Sequence, residues 1–124
     1  MRVLIAEDES LIAIYLEALV VQFGHEVCAL AASAGDAVTQ VAAHHPDVVL
    51  MDIRLAHGSS GIDAAREIYG RHGLRCIFVS GNLDEATLAA VRPCNPIAFI
   101  EKPVLPVRLQ RALENAERGG ETIG

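Results

Sequence analysis

Residues 46–55 read PDVVLMDIRL, in which four consecutive apolar residues, Val48-Val49-Leu50-Met51, run straight into Asp52. A strand with one wet face alternates apolar and polar side chains. A continuous run belongs to a strand covered on both faces, the mark of a parallel sheet. The same pattern recurs on either side: Val3-Leu4-Ile5-Ala6 stops at Glu7-Asp8-Glu9, Val27-Cys28-Ala29-Leu30 leads to a turn, Cys76-Ile77-Phe78-Val79 ends at Ser80, and Ile97-Ala98-Phe99-Ile100 runs toward Lys102-Pro103. Five short apolar runs, each followed by a helical pattern, predict an α/β fold. With right-handed crossovers, this is the flavodoxin-like (βα)5 three-layer sandwich, with a parallel five-stranded sheet of order 2-1-3-4-5.

The segments between the runs carry helix signals. Ser10 is placed to cap a helix reaching about Phe23, with Gly24 just past its end. A second helix runs from Ser33 to about His45, where Pro46 terminates it. A glycine-bearing loop, Ala56 to Gly61, leads into a third helix from about Ile62 to His72. The fourth, Asp84 to about Val91, is short and broken by Pro93. The last runs from Leu105 to about Glu117, with Leu105, Leu109, Ala112, Leu113 and Ala116 as one apolar stripe. Residues 1–118 are expected to form one domain, and 119–124 a polar, flexible, frayed tail.

Composition narrows the function classes. The 124 residues are 52% hydrophobic with only 4% aromatics and no Trp, which suits an aliphatic core around parallel strands. A formal net charge of −6 and no basic stripe argue against nucleic-acid binding. The apolar runs are too short to span a bilayer, so a cytoplasmic protein with no membrane partner is expected. Cys28, Cys76 and Cys94 form neither a CxxC pair nor a disulfide pattern, and Cys28 and Cys76 read as core residues. His44 and His45 are adjacent and point apart on a helix, so zinc is not indicated.

All parallel strands finish at the same edge, where ligands of such sheets bind. Glu7 and Asp8 follow the first strand, Asp52 ends the third, Ser80 the fourth, and Lys102 lies just beyond the fifth. Three clustered carboxylates favour a hard divalent cation, and incomplete protein coordination suits Mg²⁺. Asp52 is the natural nucleophile, because a carboxylate accepts a phosphoryl group as an acyl phosphate. Lys102 and the cation would offset charge in the transition state. Each residue alone has a plainer reading: acids favouring a helix N-terminus, a turn serine, a solvated lysine. Their joint placement at successive strand ends is what points to a phosphoryl-acceptor site.

The motifs LIAEDE (4–9), VVLMDIRL (48–55), GIDAAREI (61–68), IFVSGN (77–82) and FIEKP (99–103) carry a resemblance. Over residues 2 to 117 the sequence resembles the receiver domains of two-component response regulators, in a stand-alone, single-domain form. The resemblance implies that Asp8 binds Mg²⁺ directly, Glu7 acts on it through water, and Asp52 is phosphorylated. It further implies that the Arg54 carbonyl is a metal ligand, Ser80 bonds a phosphate oxygen, Lys102 pairs with the phosphoryl group, and Phe99 is the aromatic switch. A cis Lys102-Pro103 bond is also implied. The phosphodonor would be a histidine kinase or histidine phosphotransfer protein, and a downstream protein would dock on the fourth helix, fifth strand and fifth helix. Such a domain catalyses only its own phosphorylation and dephosphorylation. The stretch DIRLAHGSSG departs from the pattern: it lacks the usual proline and carries one extra residue, which predicts a more mobile loop. Arg54 and Asn82 border the route of an attacking water.

Three other readings compete. A haloacid-dehalogenase-type phosphatase would need an Asp-x-Asp after the first strand, which Glu7-Asp8-Glu9 does not offer. A degenerate receiver acting as a phosphorylation-independent interaction module would not keep Asp8, Asp52, Ser80 and Lys102 together. A flavodoxin-like ligand binder would need a Gly-rich phosphate loop after the first strand.

Overall fold

A computed structural model describes residues 1–124. The strands are β1 (Arg2–Ala6), β2 (Glu26–Ala31), β3 (Val48–Asp52), β4 (Cys76–Ser80) and β5 (Ala98–Glu101). They form one sheet of order β2-β1-β3-β4-β5, all neighbours parallel, as the apolar runs require. The helices are α1 (Ser10–Gln22), α2 (Ala34–His44), α3 (Gly61–His72), α4 (Glu85–Val91) and α5 (Pro106–Arg118).

The continuous runs serve two faces at once. Val3, Ile5, Val48, Leu50, Ile77 and Val79 pack beneath α1 and α5, with Leu16, Val20, Leu109 and Leu113 above them. Leu4, Ala6, Val49, Met51, Cys76 and Phe78 face the other way, toward Ala37, Val41, Ala64, Ala65 and Ile68 on α2 and α3. Every residue of β3 and β4 is buried, so these two strands form the centre of the molecule. Cys76 is buried as expected, whereas Cys28 on edge strand β2 is only half-buried.

Several boundaries differ from the sequence reading for local reasons. The N-cap of α1 is Glu9, and Ser10 is already helical; Ala13 N–H bonds the Glu9 carbonyl at 3.0 Å, and no side chain caps this end. Ser33 does cap α2, its Oγ accepting from Asp36 N–H at 3.1 Å. Leu105 precedes α5 as its N-cap and is half exposed, so it drops out of the apolar stripe. The segment after α5, expected to fray, is instead hydrogen-bonded back onto β5, because Gly119 takes up φ 63° and reverses the chain.

Candidate functional site

β1 and β3 are neighbours in the sheet, with Ala6 opposite Met51, so the residues that follow each emerge side by side. Glu7 is held there by its own backbone, whose N–H bonds the Ala31 carbonyl at the end of β2 at 2.9 Å. Single ligand oxygens of Glu7, Asp8 and Asp52 all lie within 4.8 Å of one another. Glu7 and Asp52 are buried, Asp8 is exposed, and Lys102 reaches in from beyond β5. The Lys102 Nζ sits 2.8 Å from Glu7 Oε1 and 2.9 Å from Asp52 Oδ2. The remaining oxygens are engaged too: Glu9 N–H bonds Glu7 Oε2 at 3.2 Å, and Arg54 N–H bonds Asp52 Oδ1 at 3.3 Å. An open cleft of about 510 Å³ lies over this cluster, lined among others by Asp8, Asp52, Ser80, Asn82 and Lys102.

The charges do not balance internally. With all three carboxylates ionised, set against one ammonium, two negative charges are left, the charge of one divalent cation. Burial drives the Glu7 carboxyl up from its ordinary 4.5 to about 7; the Lys102 hydrogen bond opposes this, and the neighbouring Asp52 adds to it. For Lys102, burial is the largest influence and works against its charge. The hydrogen bonds to Glu7 and Asp52, with their charges, together outweigh it and hold the ammonium above its usual value. A set of oxygen donors with one exposed member and an open cleft fits a cation of the Mg²⁺ type, which keeps part of its water.

A family model of the response regulator receiver domain matches residues 3–114. This chain belongs to that family. The receiver is 37% identical to the phyllosphere-induced regulator PhyR of Methylorubrum extorquens over 93% of its own length and 43% of that protein. It is 32% identical to the transcriptional regulatory protein PdtaR of Mycobacterium tuberculosis, again over 93% of the chain and 56% of the relative. The chain thus spans about half the length of these curated relatives. Among solved structures, the PhyR receiver domain of Erythrobacter litoralis superposes with a TM-score of 0.83 at 38% identity, covering 94% of this chain and 89% of that one.

Around the receiver's acidic cluster the other expected residues take up definite positions. Ser80 is buried at the end of β4, and its hydroxyl is engaged locally, bonding the Asn82 backbone N–H and C=O at 3.2 Å each. Phe99, half-buried on β5, faces Phe78 with ring centroids 6.0 Å apart. The Lys102-Pro103 bond is cis.

The loop after β3 also has a definite course. Ala56 occupies the place of the missing proline, and Leu55 just before it is buried among the α2–α3 core residues. Arg54 and Ser60 pair across the loop, and a 3-10 turn over Ala56–Gly58 takes up the extra length with His57 and Gly58 at positive φ. Ser59 went unnoticed in the sequence. Its Oγ donates to the Ala56 carbonyl at 2.6 Å and accepts from Ala34 N–H at 3.0 Å, tying the loop to the start of α2. Only the general preference of serine for helix starts could have signalled this.

Proposed function

We propose that this receiver accepts a phosphoryl group on Asp52 from a phosphohistidine of a kinase or phosphotransfer protein, in an Mg²⁺-dependent step. The observation that carries the reading is the Lys102 ammonium bridging Glu7 and Asp52 beside the exposed Asp8. In the step, an Asp52 carboxylate oxygen forms a bond to phosphorus while the bond from phosphorus to the donor imidazole breaks. The imidazole keeps that electron pair and leaves neutral once protonated. Mg²⁺ held by Asp8, Asp52 and the Arg54 carbonyl, with Glu7 acting through water, would offset charge on the transferring oxygens. Lys102 already lies within hydrogen-bond distance of Asp52, so a short movement lets it follow a phosphoryl oxygen. The Ser80 hydroxyl must exchange its Asn82 partner for that oxygen, which is the motion a switch needs. Phe99 would then repack, changing the face formed by α4, β5 and α5 for a downstream protein. The chain catalyses only its own phosphorylation and dephosphorylation, and acts in the cytoplasm. No helix is long and apolar enough to cross a membrane.

The test is intact mass with and without a small phosphodonor and Mg²⁺, with mapping of the modified residue. One base-labile phosphoryl group on Asp52, absent from Asp52→Asn and from chelator-treated protein, is expected. Equal labelling of Asp52→Asn would overturn the assignment. The interaction-module reading predicts no labelling at all, so the same measurement separates the two.

A further inference from the structure

β5 is an outer strand, and such strands present unpaired backbone groups that invite another chain. Here part of that edge is covered by the chain itself. After Gly119 reverses the chain, Gly120 passes directly over Asn115, where a Cβ would lie 2.0 Å from the Asn115 Oδ1. The buried Asn115 donates through Nδ2 to the carbonyls of Ile97 at 3.2 Å and Glu121 at 2.8 Å. Ile123 N–H then bonds the Ile97 carbonyl at 3.0 Å, and Phe99 N–H bonds the Ile123 carbonyl at 3.1 Å, one parallel rung of a sixth strand. The Thr122 hydroxyl adds a bond to the Pro96 carbonyl. From below, the Arg75 guanidinium holds the carbonyls of Asn95, Gly120 and Pro96 at 2.6, 2.7 and 3.1 Å.

The composition of this attachment matters. It is almost wholly hydrogen bonding, shared between backbone groups and the side chains of Arg75, Asn115 and Thr122, with half-buried Ile123 as its one apolar anchor, so it belongs to the low-stability end of the molecule. Phe99 N–H points away from β4, and by strand alternation Phe99 C=O and Glu101 N–H point the same way, continuing the ladder past Gly124. A groove of about 420 Å³ runs beside that edge, lined by Phe99, Ile100 and the exposed Leu105 and Val107, with Ile123 among its lining residues.

We propose that residues 120–123 are a releasable strap over a strand-addition site on β5. Closed, the site holds this chain's own Thr-Ile segment. Open, it accepts the same kind of extended segment in parallel register, with a β-branched apolar residue at the Ile123 position. Because a tethered segment has an effective concentration in the millimolar range, a free copy competes only when the strap is displaced. The proposal does not depend on phosphorylation of Asp52.

Ile123→Asp removes the apolar anchor, and Glu121→Gln serves as control because only the Glu121 carbonyl is bonded. Residue-resolved amide exchange is the readout. Phe99 N–H should exchange about tenfold faster in Ile123→Asp, the scale of one lost net hydrogen bond, with β1, β3 and β4 unchanged. Glu121→Gln should match the parent. The peptide GGETIG, at roughly millimolar concentration, should restore Phe99 protection in Ile123→Asp, and the same peptide with aspartate for isoleucine should not. Unchanged Phe99 exchange in Ile123→Asp, or loss of protection throughout the sheet, would overturn the strap. Failure of GGETIG to restore protection would overturn the strand-addition site.

Discussion

An alanine at position 61 would place its Cβ 1.9 Å from the Asp52 carbonyl oxygen, 2.9 Å from the carbonyl carbon and 3.1 Å from the Ile53 Cα. These are backbone atoms at the end of the central strand, so no side chain can rotate away to make room. Gly61 N–H is also drawn to the Ile53 carbonyl at 2.7 Å, which pulls the first turn of α3 onto β3 while the new methyl pushes it off. Relieving the overlap means moving α3 or the end of β3 by about 1 Å, an overpacking that costs about 2–3 kcal/mol. For a domain of this size that lowers Tm by about 8–12 °C. Gly70 lies on the same helix with nothing within 4 Å of its Cβ position. Gly70→Ala should therefore stabilise by about 0.5–1 kcal/mol, through helix propensity alone. Urea and thermal unfolding of the pair test the argument. Opposite signs are expected; a Gly61→Ala loss below about 0.5 kcal/mol would refute the steric reasoning, as would an equal loss in Gly70→Ala.

Because the folded Glu7 carboxyl titrates at about 7 against an ordinary 4.5, its contribution to stability is complete below pH 4.5 and is lost as pH rises through about 7. The metal-free chain should lose up to about 3 kcal/mol over that window, Glu7→Gln should remove the loss, and Mg²⁺ should offset it at pH 8. Parallel curves for the parent and Glu7→Gln would show the reasoning wrong. Tyr15→Phe removes a 2.9 Å bond from the α1 hydroxyl to the Val104 carbonyl, and should cost about 1 kcal/mol, with faster amide exchange around Val104 and β5 unchanged. Leu11, Ile14 and Val21 are left exposed on α1. Ile14→Lys or Val21→Lys should slow transfer from a histidine kinase while sparing labelling by a small phosphodonor; equal slowing of both would indicate damaged folding instead.

Continuous apolar runs stopped by Asp52, Ser80 and the Glu7-Asp8 pair were enough to read the strand order and the convergence of the acids with Lys102. These features are written in side-chain chemistry at strand ends, which pattern reading detects. Arg75, Asn115 and Ser59 escaped because their partners are backbone carbonyls and amides, which look the same at every position in a sequence. The tail's contacts escaped for a related reason: Gly-Gly-Glu-Thr is polar and reads as fraying, and the close passage of Gly120 over Asn115 leaves no mark in side-chain chemistry. Ser10 was expected to be a cap from residue type alone, but the chain enters the helix one residue earlier than that reading allows.

The sheet divides the interior into two cores that share no side chain, one under α1 and α5, the other under α2, α3 and α4. Phe78, Phe99 and Val91 all belong to the second. Leu16, Val20, Leu109 and Leu113 belong to the first, so their side-chain neighbours are not those that repack around Phe99. The exposed surface of α1 and the surface near α4 therefore rest on different cores. Substitutions in the two compartments should combine additively in stability, to within about 0.5 kcal/mol. Such a partition lets the residues that choose one partner drift without disturbing those that answer to another.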